Sequence, residues 1–153
     1  MDLVELVVAV RLLSAPDHTA VKSWDDSGLA TVYHTPSDLG KWRGSVLACL
    51  WNKETKDFAD DQLFCAHRFY RCGTVLHVHM PKTGKSSYCV VADRGPYGAK
   101  LGGKFLVKVR KNDPGVWRGI LDMSPGVLRN LGGTGYDHVR IKRVSPYVQG
   151  DTF

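Results

Sequence analysis

Nothing in these 153 residues approaches the roughly 20 consecutive apolar residues that a bilayer-spanning helix needs. The most apolar opening stretch, Leu3 to Leu13, is broken by Glu5 and Arg11 and preceded by Asp2. A secretory leader wants a positive start, an unbroken apolar core and a small-residue cleavage site, so this stretch reads as a strand or short helix packed on a domain. Cys-x-x-Cys is absent, which argues against zinc-ribbon and thioredoxin-type chemistry. Pro and Gly, at 7 and 16, are too sparse for a disordered chain. Lys82-Thr83-Gly84-Lys85-Ser86 looks like the tail of a phosphate loop, but the leading glycine is missing and the run reads as a hairpin turn. Internal repeats and linkers are lacking too, so residues 1–153 read as one domain able to build a full core.

Acidic residues are scarce in the second half. Residues 1–80 carry 8 Lys/Arg against 10 Asp/Glu, whereas residues 81–153 carry 13 against 5. A basic half of this kind suits an anionic polymer, such as an acidic polysaccharide or nucleic acid, or simply a solvated face.

Four cysteines stand at positions 49, 65, 72 and 89. Cys65 and Cys72 are close enough in sequence to be bridged, and two other complete pairings are open. Cysteine is among the most buried residue types even when unpaired, so free thiols are the expectation.

Strand signals dominate the rest. Leu29–Tyr33, Ser45–Trp51, Thr74–Met80, Ser86–Ala92, Lys104–Arg110 and Tyr136–Val144 read as strands between turn residues. Asp60 is placed to cap a short helix from Asp61 to about His67, and Ser124-Pro125 opens a second helix that Gly132-Gly133 stops. The chain is therefore mainly β with short helices.

Two carboxylates stand out against that frame. Ala92-Asp93-Arg94-Gly95-Pro96-Tyr97 and Ile120-Leu121-Asp122-Met123-Ser124-Pro125 each put one acid where an apolar stretch meets a turn or helix start. A lone acid at the end of a rigid element is a common way to hold a carboxyl group at the rim of a cleft. With His67 upstream, the pair points to a sugar-cleaving or sugar-binding cleft. Each residue also has a structural alternative. Asp93 can bond the backbone of its own turn, and Asp122 can complement the N-terminus of the Ser124 helix. His67 can cap a helix end. Trp42, Trp51, Tyr97 and Trp117 offer flat faces for sugar rings, with Trp42 and Trp117 favoured by their polar surroundings. His77 and His79 share one strand face and would bind metal only with a third ligand, such as His67 or Asp93; packing is the commoner use, and no metal is expected.

In their order, these segments resemble the rare lipoprotein A-like double-psi β-barrels, a group related to expansins, barwin-like proteins and family 45 endoglucanases. The resemblance runs over about residues 29–144. It is carried by Ala30-Thr31-Val32-Tyr33, Cys65-Ala66-His67, Gly73-Thr74-Val75-Leu76-His77-Val78-His79, Thr83-Gly84, Asp93-Arg94-Gly95-Pro96-Tyr97 and Ile120-Leu121-Asp122-Met123-Ser124 followed by Leu131-Gly132. Asp93 and Asp122 stand 29 residues apart, further than in the family. The surplus maps to an inserted hairpin at about 100–117. The family's acid ahead of the histidine-bearing helix has no clear match; Lys56 falls near its place, flanked by Glu54 and Asp57.

The resemblance implies a six-stranded double-psi β-barrel with an N-terminal extension and that hairpin. It implies a protein that binds and cleaves peptidoglycan or another cell-wall glycan as a lytic transglycosylase, a lyase that needs no metal or organic cofactor. Asp93 would be the general acid, with Asp122 and His67 beside it and Tyr33, Trp42, Arg94, Tyr97 and Trp117 on the substrate. Asp122 sits in a segment similar to the His-Phe-Asp of expansins and family 45 endoglucanases, with Ile120 in the histidine position. The alternative is a non-catalytic module that binds polysaccharide or protein. A nucleic-acid binder rests on the basic half alone. The expected partner is cell-wall glycan, with anionic polymer meeting the basic half. The chain would act at the cell wall, and the missing leader suits a phage-encoded protein.

Overall fold

The apolar residues near the N-terminus fall at helical spacing, and they form α1, Leu3–Val10. Asp2 caps it: its side chain accepts from the Glu5 amide at 2.8 Å, and the Glu5 carboxylate accepts from the Asp2 amide at 3.0 Å. This reciprocal arrangement satisfies two otherwise orphaned donors. Leu3, Val7 and Val10 are buried along one stripe, and that stripe packs on the barrel's fourth strand. The computed structural model describes residues 2–33, 47–50, 61–95, 100–101, 104–105 and 119–145.

Six strands close the barrel: β1 (Asp26–Val32), β2 (Phe64–Ala66), β3 (Val75–Met80), β4 (Lys85–Asp93), β7 (Leu121–Met123) and β8 (Tyr136–Ser145). Their order around it is β1-β7-β2-β4-β3-β8, with β8 returning to β1. β1 and β7 pair in parallel, as do β2 and β4, and every other neighbour is antiparallel. This is a closed, double-psi-like barrel. A second, two-stranded pair, β5 (Lys100–Leu101) with β6 (Lys104–Phe105), lies apart from it in the hydrogen-bonding pattern. The rest of the 100–117 segment lies outside the described residues, as do Trp42, Trp51, Tyr97, Lys108, Arg110 and Trp117.

Side-chain alternation separates the two faces. Leu76, Val78 and Met80 of β3, Leu121 and Met123 of β7, and Val139 and Ile141 of β8 are fully buried in the interior. The residues between them point outward. Helix α2, Pro125–Leu131, follows β7, and Gly132 ends it in the left-handed conformation at φ 68°.

Three expectations change in the structure. The segment read as a helix ending at His67 contains β2 instead. Hydrogen-bonded neighbours on both sides, β4 and β7, override a weak local helical preference. Of the segment read as a buried strand, Leu47–Leu50 is a turn. The cysteines are paired rather than free: Cys49 with Cys72 and Cys65 with Cys89, at Cα separations of 5.7 and 5.9 Å. Cys65 and Cys72 do not bridge each other, because Cys65 stands beside β4 while Cys72 lies in the turn ahead of β3.

Candidate functional site

The parallel pairs bring the two acids into one row. On β1, β7, β2 and β4 in turn, Thr31 stands opposite Asp122, Asp122 opposite Ala66, and Ala66 opposite Asp93. Leu121 and Met123 point inward, so Asp122 and its row point outward. Two strand spacings separate the Asp93 and Asp122 backbones, about 10 Å in all. Ala66, with its small side chain, stands between them in the row.

A slip in register creates this row. Phe64 pairs with Val90 and Cys65 with Val91, but Ala66 pairs with Asp93 rather than Ala92. The irregularity re-aims the acid onto the face it shares with Asp122, a recurring use of β-bulges. Cys65 and Cys89 tie the two strands together beside it.

The fold engages both acids. One Asp93 oxygen accepts from the Ala48 amide at 2.8 Å, and the other accepts from the Tyr33 hydroxyl. Cys49, disulfide-bonded to Cys72, donates its amide to the Ala92 carbonyl at 3.1 Å, which fixes Ala48 in place. Asp122 accepts from the Thr31 hydroxyl at 2.9 Å. Asp93, Asp122, Thr31 and Tyr33 are all buried, yet each keeps between 5% and 8% of its surface exposed. They lie nearly flush with their surroundings, with only the edge of each side chain reaching solvent.

The other residues sit at the end of the barrel where β2 and β4 finish. His67 donates its amide to the Asp93 carbonyl at 3.2 Å. Its Nδ1 accepts from the amides of Phe69 and Tyr70 at 3.1 and 3.2 Å, so in the neutral ring the proton is on Nε2. His67 therefore organises the turn after β2 rather than capping a helix. Its ring stacks on Tyr70 at 4.2 Å. Arg94 donates to the Tyr70 carbonyl at 2.8 Å and is itself exposed. Burial pushes the Tyr70 phenol above its usual range, with Asp25 and Asp26 adding to the effect.

Phe69 is the residue sequence reading passed over. It is 71% exposed, and the Arg68 guanidinium lies 5.7 Å from its ring centre. The available signal was four consecutive residues, His67-Arg68-Phe69-Tyr70, each able to present a ring or a flat cation.

His77 and His79 point outward from β3 on another part of the barrel and are buried there by packing. Both meet Ser86, through His77 Nε2 at 3.0 Å and His79 Nδ1 at 3.1 Å. Among the described residues, no three metal-ligating side chains gather as a metal site.

No family model matches the chain, and no curated protein matches it. Among solved structures it is similar to the apo form of an expansin from Clavibacter michiganensis, at 25% identity and a TM-score of 0.45. The similarity covers 78% of this chain and 50% of that one, so this chain spans half the length of the structure it matches. The barrel assignment rests on the strand order and register described above. No helix among the described residues is long and apolar enough to cross a membrane.

Proposed function

We propose that this chain is a cell-wall polysaccharide-binding module of the expansin-like kind, which holds glycan along the outward row from Asp93 to Asp122 without cleaving it. The observation that carries this reading is the engagement of both Asp93 oxygens by donors of the fold. A general acid must present its proton to the departing oxygen. Asp93 instead accepts from Ala48 and Tyr33 and ties the segments that carry them to the end of β4. A pyranose has an apolar C–H face and a rim of hydroxyl groups. An exposed ring beside a few fixed polar groups meets both needs, and Phe69, Arg94 and the carboxylate row supply that combination.

The finer reading, cleavage by a lytic transglycosylase with Asp93 as acid, makes a different prediction. The test is to incubate the protein with purified peptidoglycan and with cellulose, measure the bound fraction, and analyse the supernatant by mass spectrometry. Saturable binding that Phe69→Ala weakens about tenfold, as loss of one interface aromatic does, with no anhydromuramyl ends released, is the expected result. Release of such ends by wild type but not by Asp93→Asn would establish cleavage instead. Absence of binding to either polymer would end both readings.

A further inference from the structure

The outer face of β3 is covered by the chain that precedes β1. Asp17 caps a single 3-10 turn, His18–Ala20, by accepting from the Thr19 amide at 2.9 Å. His18 then lies flat on His79, ring centres 4.0 Å apart and planes within 10°. Trp24 meets the same patch, edge-on to His77 at 5.1 Å and stacked with His79 at 5.6 Å. Beyond Trp24 the segment is tied down: Asp25 accepts from the Arg143 amide at 2.7 Å, meets the Lys142 ammonium at 3.5 Å, and donates its own amide to the Ile141 carbonyl at 2.9 Å. The segment is thus anchored at Asp25, while its Asp17–Trp24 part is held by stacked rings, three of them imidazoles.

We propose that residues 17–24 form an acid-released strap, closed while His77 and His79 are neutral and lifted from β3 when those two rings take up protons, between its anchors at α1 and Asp25.

Stacked imidazoles attract when neutral and repel when both are charged. His79 Nδ1 faces the Lys85 carbonyl at 3.1 Å as well as Ser86, so it carries the proton of the neutral ring. Ser86 Oγ then accepts from His79 and is left to donate to His77 Nε2. Protonation of His77 at that nitrogen breaks this donation.

The charged groups around the patch oppose protonation on balance. Arg140 and Lys142 of β8 stand opposite His79 and His77 in register. On β4, Lys85 adjoins Ser86, and Tyr88 faces His77. Asp17 on the strap is the favourable counter-charge. Burial, helped by His79 and His18, lowers His77 to about 4, and burial with His18 also lowers His79. Lifting the strap returns these rings towards an ordinary imidazole value. The released form therefore binds more protons, and closure, complete above about pH 6.5, weakens as pH falls towards about 4.

The test uses the full chain and NMR, following the Trp24 indole N–H and the cross-relaxation between the His18 and His79 rings from pH 7 to 5. The lifted population is expected to rise on the order of tenfold. The His18–His79 contact should be lost while the amide signals of β3 and β4 stay in place. His18→Phe/His79→Phe keeps two stacked rings without their protons, and it should hold the strap closed at pH 7 and cut the response to acid. His18→Ala, at a half-buried position outside the core, should open the strap at both pH values. An unchanged contact at pH 5, an undiminished response in the double variant, barrel signals lost in step with the strap, or a strap still closed in His18→Ala would each overturn the proposal.

Discussion

Asp93 shows how one side chain can be read in two ways. Its position before Arg94-Gly95 is the reason to suspect chemistry, and its partners are the reason to see structure. Removing it takes the carboxylate acceptor away from the part-buried Ala48 bond and from the buried Tyr33 hydroxyl. Loss of a buried hydrogen-bonded charge costs about 1.5–3 kcal/mol per bond, so Asp93→Ala should destabilise the protein by about 3 kcal/mol and Tyr33→Phe by about 1.5. The double variant should lose less than the sum, because the two share one interaction. Asp93→Asn behaves differently. Its carbonyl still accepts from Ala48, and its amide donates to the Tyr33 hydroxyl, which reverses its role. That variant should lose less than about 1 kcal/mol. Urea unfolding of the four proteins checks the series, and equal losses for Asn and Ala would contradict this account of the bonds. Both aspartates were legible as special from their place at the ends of apolar stretches. The Ala48 amide was not, because no pattern in a sequence says which distant backbone donor closes on a carboxylate. Phe69 was missed for a related reason: the run His67–Tyr70 is dense in rings, but it does not say which of them a turn will leave in solvent.

At the level of elements, β3 and β4 were legible because Leu76, Val78 and Met80 alternate with polar residues. β1 and β8 were found in outline too. β2 was not, since three residues carry almost no periodicity and its strand character comes from β4 and β7 on either side. The capping box of α1 is visible in the sequence as Asp2 and Glu5, although the apolar pattern of the stretch by itself fits a strand or a short helix. Ser124 is the subtler case. It does occupy the N-cap of α2, but its hydroxyl makes no capping bond. It donates to the Gln62 carbonyl at 2.6 Å and accepts from the Phe64 amide at 3.2 Å, which fastens α2 to β2. The same junction makes Gly126 irreplaceable. A Cβ there would stand 2.8 Å from backbone atoms of Asp61 and Gln62. Alanine gains up to about 1 kcal/mol of helix propensity over glycine, whereas forcing backbones apart in a packed site costs about 1–3 kcal/mol. Gly126→Ala should therefore be destabilising, by about 1–2 kcal/mol. Thermal unfolding measures it, and a stabilised variant would show that α2 is free to shift.

The whole molecule presents a barrel without a free edge and a charge that is unevenly divided. Closure removes any open edge of the barrel that another chain would extend, so a partner that meets the barrel is gripped by side chains across its outer face. The net charge of +6 arises from residues 81–153. Long-range attraction to an anionic polymer is screened within about 10 Å at 0.1 M salt, whereas stacking and short hydrogen bonds are not. Binding to teichoic acid-bearing wall should fall steeply between 20 and 200 mM salt, by about tenfold or more, while binding to a neutral glycan should hardly change. Pull-down titrations on the two polymers distinguish these cases, and parallel salt curves would mean that the basic half is only a solvated face.

The strand order also bears on how the chain reaches this state. β1 is the first of the described strands, yet its two neighbours are β7 and β8, so among the described residues its strand partners begin at about residue 120. The Thr31–Asp122 bond spans 91 positions. Contacts so distant along the chain form late and slowly. Both disulfides, by contrast, join residues between Cys49 and Cys89 and can form on a nascent chain that has no barrel. Assembly would thus begin in the middle, around crosslinked β2, β3 and β4. It would finish only when β7 and β8 arrive to enclose β1, the strand made before all of the others described.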